Sequence, residues 1–179
     1  MPRIAPLEPP YPADIQANFD AIMQGAPPLL LFRTLATSER AWRKFRAGSL
    51  LDRGPLGLRE RELVIDRTCA LAGNEYEWGV HVSAFAAAAR LTPEEVAATV
   101  GEGSAAACWS PAERALLAAA EALHDRAALS EAEFAALRAH YDEAQVLEAI
   151  LLCGFYRTVS YVVGALALPP EPGAARFPA

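Results

Sequence analysis

Cysteine is scarce in this chain. Only Cys69, Cys108 and Cys153 occur, and no two of them form a CxxC pair. That spacing gives no dense disulfide framework, and a reducing cytoplasm is the simplest compartment to expect. The GxGxxG turn, the GKS/T phosphate loop, the GxSxG elbow and the zinc-deaminase signature are missing too. Dinucleotide, P-loop and serine-hydrolase readings fall with them. HExxH, a repeated ExxH and any Cys/His cluster are also absent, so neither a metal nor another cofactor is expected. Sixteen Lys and Arg against 22 Asp and Glu leave a net charge of −6, a poor match for nucleic acid or an anionic membrane. The opening Met1–Pro6 has no apolar stretch of the signal-peptide kind. Strand-like alternation of β-branched residues is rare.

What the chain has in quantity is Ala, Leu and Glu, which lose little side-chain freedom in a helix. With 179 residues and 53% hydrophobic composition it suits one domain with a sizeable core. The expected fold is an all-α helical bundle. Residues 1–28 read as an N-terminal arm with a short helix, 29–168 as the helical domain, and 169–179 as a tail. Both proline-rich ends are expected to lie extended on the surface or across a neighbouring subunit. Cap signals at Thr92-Pro93-Glu94-Glu95, Ser110-Pro111-Ala112-Glu113, Ser130-Glu131-Ala132-Glu133 and Asp142 with Gln145 predict helices starting near 93, 111, 131 and 143. Upstream, helices are predicted over about 29–46, 58–71 and 74–90, with the break at Gly73-Asn74. The stretch 147–168 is long enough to cross a bilayer. Glu148 and Arg157 would be costly in hydrocarbon, so a buried or subunit-facing helix is expected instead.

The chemistry concentrates between Arg59 and His81, in RERELVIDRTCALAGNEYEWGVH. Asn74, Glu77, Trp78 and His81 share one broad face of a helix, and a fold at Gly73-Asn74 could bring Glu62 to His81. Such a carboxylate–imidazole pair can move protons near neutral pH. The bland alternatives are a half-buried structural histidine, a local Glu77–His81 contact, and a capping role for Asn74. Tyr76 and Trp78 could equally be packing residues. Cys69 shares a helix face with Glu62 and reads first as a buried, inert thiol. Arg59, Arg61 and Arg67 form a basic stripe, suited either to ion pairing or to meeting a substrate carboxylate. Arg157, alone in the apolar last helix, reads as a paired structural residue or an anchor. His124 and His140 look structural.

These blocks, with WSPAERALLAAAEAL and LSEAEFAALRAHYDEAQVLEAILLCGFYRTVSYVVGAL, resemble the carboxymuconolactone decarboxylase family and its AhpD-like relatives over roughly residues 29–168. The resemblance implies an all-α domain that assembles as a homo-oligomer, commonly a trimer or a hexamer. In the peroxidase branch an acid on one helix supports a CxxC and a histidine on the next. Glu62 matches the acid and His81 the histidine, while the two cysteine positions fall at Asn74 and Glu77. Neither residue can form a sulfenic acid or a disulfide, so the thiol cycle has no chemical basis there. What remains implied is a cofactor-independent, decarboxylase-like enzyme with Glu62 and His81 as its proton-transfer pair. Asn74, Tyr76, Glu77, Trp78 and Arg67 would line the site of a small carboxylated substrate. Two other readings stay open: a non-catalytic helical oligomer or ligand-binding protein, and a divergent thiol enzyme using Cys69.

Overall fold

A computed structural model describes residues 2–178, and these form an all-helical structure without strands among them. The order is α1 (Ala13–Met23), α2 (Leu30–Leu35), α3 (Glu39–Gly48), α4 (Leu58–Leu71), α5 (Glu75–Phe85), α6 (Pro93–Val100), a 3-10 turn (Gly103–Ala105), α7 (Pro111–Arg126), α8 (Glu131–Arg138) and α9 (Glu143–Leu166).

Helix α4 is the axis of the molecule, packing against α5, α6, α7 and α9. Every residue from Glu62 to Cys69 is buried, the polar ones included. A helix wrapped on all sides cannot keep its polar groups on a wet face, so each one must find a partner inside or stay neutral. Around it, the four expected starts are all present as closed capping boxes, at Thr92/Glu95, Ser110/Glu113, Ser130/Glu133 and Asp142/Gln145. Each cap contributes about 1 kcal/mol and fixes where the next helix leaves the loop. Two of the capping acids serve a second purpose. Arg59 of α4 pairs with Glu95 at 2.5 Å and with Glu113 at 2.6 Å, tying the starts of α6 and α7 to α4.

Two expectations are corrected. The single helix over 29–46 is two helices, because Ser38 accepts from the Ala41 amide while the Thr37 hydroxyl bonds the Thr34 carbonyl. These short side chains compete with the helical ladder and restart it in a new direction. The helix expected to reach about residue 90 ends as regular α-helix at Phe85. The chain then closes through turns to Arg90 in the left-handed region, at φ 56°.

Both ends lie on this chain's own surface. Arg3 donates to the carbonyls of Leu166 and Ala165. The tail runs along α5: the Glu171 carboxylate accepts from the Leu30 amide and the Tyr76 hydroxyl, and the Ala175 amide donates to Ser83 at 2.8 Å. The Phe177 amide donates to Glu75 at 2.9 Å, and its ring sits edge-on to Trp78 at 5.2 Å. Gly79 makes this close approach possible, since a Cβ there would overlap the Ala175 carbonyl oxygen. Helix α9 turns its inner face to the core, while Leu147, Leu151 and Tyr161 on its outer side stand about 60% exposed (61%, 59% and 62%).

Candidate functional site

Three helices converge on one buried polar cluster. Helix α4 supplies Glu62, Asp66 and Cys69, spaced i, i+4 and i+7 on one side. Helix α5 supplies Glu77 and His81, with Asn74 capping its start, and α9 supplies Tyr156 and Ser160. The expected contact is present: Glu62 Oε2 lies 2.7 Å from His81 Nδ1. The Tyr156 hydroxyl sits 3.0 Å from Nε2 on the other side of the ring, and Glu77 Oε1 lies 3.6 Å from the same nitrogen. Glu62 Oε1 receives both Nε and Nη2 of Arg61, each at 2.9 Å. Asn74 accepts from the Glu77 amide at 3.2 Å and donates to Ser160 Oγ at 3.0 Å. The Gly73-Asn74 break therefore joins all three helices.

Burial by itself would lower the His81 pKa. The hydrogen bond that Glu62 accepts and the charges of Glu62 and Glu77 outweigh it and push the imidazole up to about 10. At neutral pH the ring is an imidazolium, donating from both nitrogens. Asp66 is fully buried, and neither carboxyl oxygen has a partner. Burial raises it well above the usual carboxylate range, against the pull of His81. Burial likewise lifts Tyr156 and Cys69 far above their ordinary values. Cys69 is 0% exposed and a free thiol, surroundings that disfavour its thiolate.

Three expected lining residues have their polar groups engaged by partners outside the cluster. Arg67 stands five positions after Glu62, which turns it toward α6 and α7, where Glu121 at 2.8 Å and the Thr99 carbonyl at 2.9 Å hold it. The Tyr76 hydroxyl is spent on Leu31 and Glu171. The Trp78 indole donates to Thr99 Oγ1 at 2.9 Å beneath the tail. All three lock elements together. Arg157 is only partly buried, hydrogen-bonded to His124 and, at 3.1 Å, to the Tyr161 hydroxyl. A cleft of about 260 Å³ between the α5 start, the end of α9 and the tail is lined by Asn74, Tyr76, Ser160, Val163 and Leu168. It reaches the outer edge of the cluster. Among the described residues no group of three or more His, Cys, Asp or Glu is arranged to hold a metal ion.

Asp66, Tyr156 and Ser160 had not been singled out from sequence. Asp66 carried a usable signal, standing one turn after Glu62 on the same side. Tyr156 and Ser160 carried none, being 75 and 86 residues from their partners in the cluster.

The profile of the Carboxymuconolactone decarboxylase family matches residues 36–122, which span α4, α5 and the Glu62–His81 pair. Residues 36–122 are thus similar to that family. Its fold is AhpD-like. An uncharacterized peroxidase-related protein from Silicibacter sp. TM1040 is 19% identical, with TM-score 0.84 over 97% of this chain and 93% of that one. An AhpD-core, peroxidase-related protein from Ralstonia eutropha JMP134 is 20% identical, with TM-score 0.75 over 96% and 93%. The debrominase Bmp8, solved as a point variant in complex with 2,3,4-tribromopyrrole, is 19% identical, with TM-score 0.76 over 94% and 91%. No curated protein matches the chain in sequence.

Proposed function

We propose that the chain is a cofactor-independent, lyase-like enzyme that decarboxylates a small carboxylated organic molecule, as 4-carboxymuconolactone decarboxylase does. The observation that carries this reading is the Glu62–His81–Tyr156 chain of hydrogen bonds, with Asn and Glu where thiols would stand. An imidazolium held in place by a carboxylate is suited to the acid half of such a reaction. As the bond to the leaving carboxylate breaks, its electron pair moves into the adjacent unsaturated system, and carbon dioxide departs. The cation stabilises that developing negative charge, and a proton from His81, passed on by the Tyr156 hydroxyl, ends on the product. Solvent restores the proton, so one proton is consumed per carbon dioxide released. Glu62 orients the ring and keeps it charged. The debrominase neighbour, described with a tribrominated pyrrole, supports a small ring compound as the substrate class on this fold.

The test is carbon dioxide release and substrate loss over a panel of lactone acids, for the wild type, Glu62→Gln and His81→Ala. His81→Ala is expected to lose about 10²–10⁴-fold in rate and Glu62→Gln less. Full activity in both folded variants would reject the roles given to them. The near-complete burial of the pair, 1% and 2% exposed, favours a second reading as an internal strut of a non-catalytic protein. That reading expects both variants to lose stability and the wild type to turn over none of the panel. Assembly as a homo-oligomer through the exposed stripe on α9 belongs to the same proposal.

A further inference from the structure

With Glu62 and His81 closed off, a ligand reaches the imidazole only by displacing a covering group. On one side that cover is Arg61, whose side chain is 12% exposed and stands between the buried carboxylate and solvent. Its Nε and Nη2 both serve Glu62. Its Cζ lies 5.5 Å from the Phe85 ring centroid, and Phe85 lies 5.3 Å from the His81 ring. The remaining edge, Nη1, donates to the Leu51 carbonyl at 3.0 Å.

Leu51 belongs to segment 49–57 between α3 and α4, which has no regular secondary structure and is mostly exposed. Besides Arg61, Leu56 anchors its far end in the core and Leu50 packs against that core, Gln145 holds the Pro55 carbonyl at 3.2 Å, and Gly54 lies against the Glu148 carboxylate. The three ties on Arg61 are unequal. A guanidinium–carboxylate contact adds ion-pair attraction that a neutral carbonyl cannot supply, and a partner on an exposed, irregular stretch has the least to hold it. The Nη1 edge is therefore the part of the cover that an incoming anion displaces most readily.

We propose that Arg61 is the carboxylate-binding residue of this site, exchanging the Leu51 carbonyl for the carboxylate of the substrate as the exposed stretch 51–55 shifts. The substrate's identity rests on the lyase reading above; the binding site does not. The planar fork of arginine matches a carboxylate, whereas a lysine in its place would keep charge without that fit.

The experiment is an NMR titration of the full chain with 2-furoate and with 2-furamide, which share ring and size but differ in the charge of the acid group. Wild type is expected to bind the acid about tenfold more tightly than the amide, with the His81 ring resonances shifting. Arg61→Gln is expected to erase that preference, and Arg61→Lys to keep part of it. A purely structural arginine would weaken both probes together and leave their ratio unchanged. Should Arg61→Gln fail to fold, the ratio in Arg61→Lys decides. No acid preference in wild type, or an unchanged ratio in the folded variants, overturns the assignment. An Arg61-dependent preference in a protein that releases no carbon dioxide sinks the lyase reading and leaves Arg61 standing. Carbon dioxide release with a ratio indifferent to position 61 does the reverse.

Discussion

The tail's grip on α5 can be tested at Gly79, where one methyl group has opposite effects in two backgrounds. Within a helix, Gly→Ala is stabilising by about 0.5–1 kcal/mol, because the unfolded chain loses freedom it no longer has to surrender. Gly79 lies in the interior of α5, so that gain is available. In the full chain the new Cβ would overlap the Ala175 carbonyl oxygen and meet the Ala174 side chain, so the tail must lift. Lifting forfeits the amide bonds from Ala175 to Ser83 and from Phe177 to Glu75, and the edge contact of Phe177 on Trp78. At about 1 kcal/mol per hydrogen bond and about 1 for the aromatic pair, less the ordering entropy of the freed residues, the loss is about 1–2 kcal/mol. Net destabilisation of up to about 1.5 kcal/mol is therefore expected in the full chain. In a chain ending at Pro172 the obstacle is gone, Glu171 still caps α2, and the same substitution should stabilise by about 0.5–1 kcal/mol. Urea unfolding of the four proteins measures both effects, and faster trypsin cleavage after Arg176 in full-length Gly79→Ala would report the lifted tail directly. The same sign in both backgrounds would refute the reasoning.

The buried cluster sets a pH dependence of stability. His81 has a folded pKa raised to about 10 from 6.5, so its contribution is complete below about pH 6.5 and is lost as pH rises through 10. Asp66, also raised, acts in the same direction, since the folded protein holds protons that the unfolded chain releases. Urea midpoints at pH 6, 8 and 10 should fall steadily for wild type and more shallowly for His81→Gln; a flat or rising wild-type series contradicts the charge state given to the ring. On the outer face of α9, Leu151→Glu should shift a wild-type oligomer toward monomer in sedimentation without loss of helicity, since Leu151 is 59% exposed in the single chain. A wild type that sediments as a monomer at micromolar concentration rules out that interface.

The sequence was most legible where local chemistry decides structure. Thr92, Ser110, Ser130 and Asp142 each bring their own partner three residues later, and no distant contact is needed to close those boxes. The split between α2 and α3 was hidden because Ser38 has Ala41, not an acid, at the third position, and the apolar pattern runs on across the break. For the site, the Glu62–His81 pair was readable because one tight turn sets the two helices side by side. Arg67 was misplaced for a geometric reason: five residues along a helix is some 140° around it, enough to swap one neighbour for another. Tyr156 sat unnoticed in an apolar run whose inward side only tertiary packing defines.

At the head of α5, the amide of Asn74 and the carboxylate of Glu77 occupy a helix end that elsewhere could lower the pKa of a thiol. Neither group can bank a pair of electrons between one turnover and the next. Chemistry run through these two groups would draw on protons alone, needing no reductant to reset them.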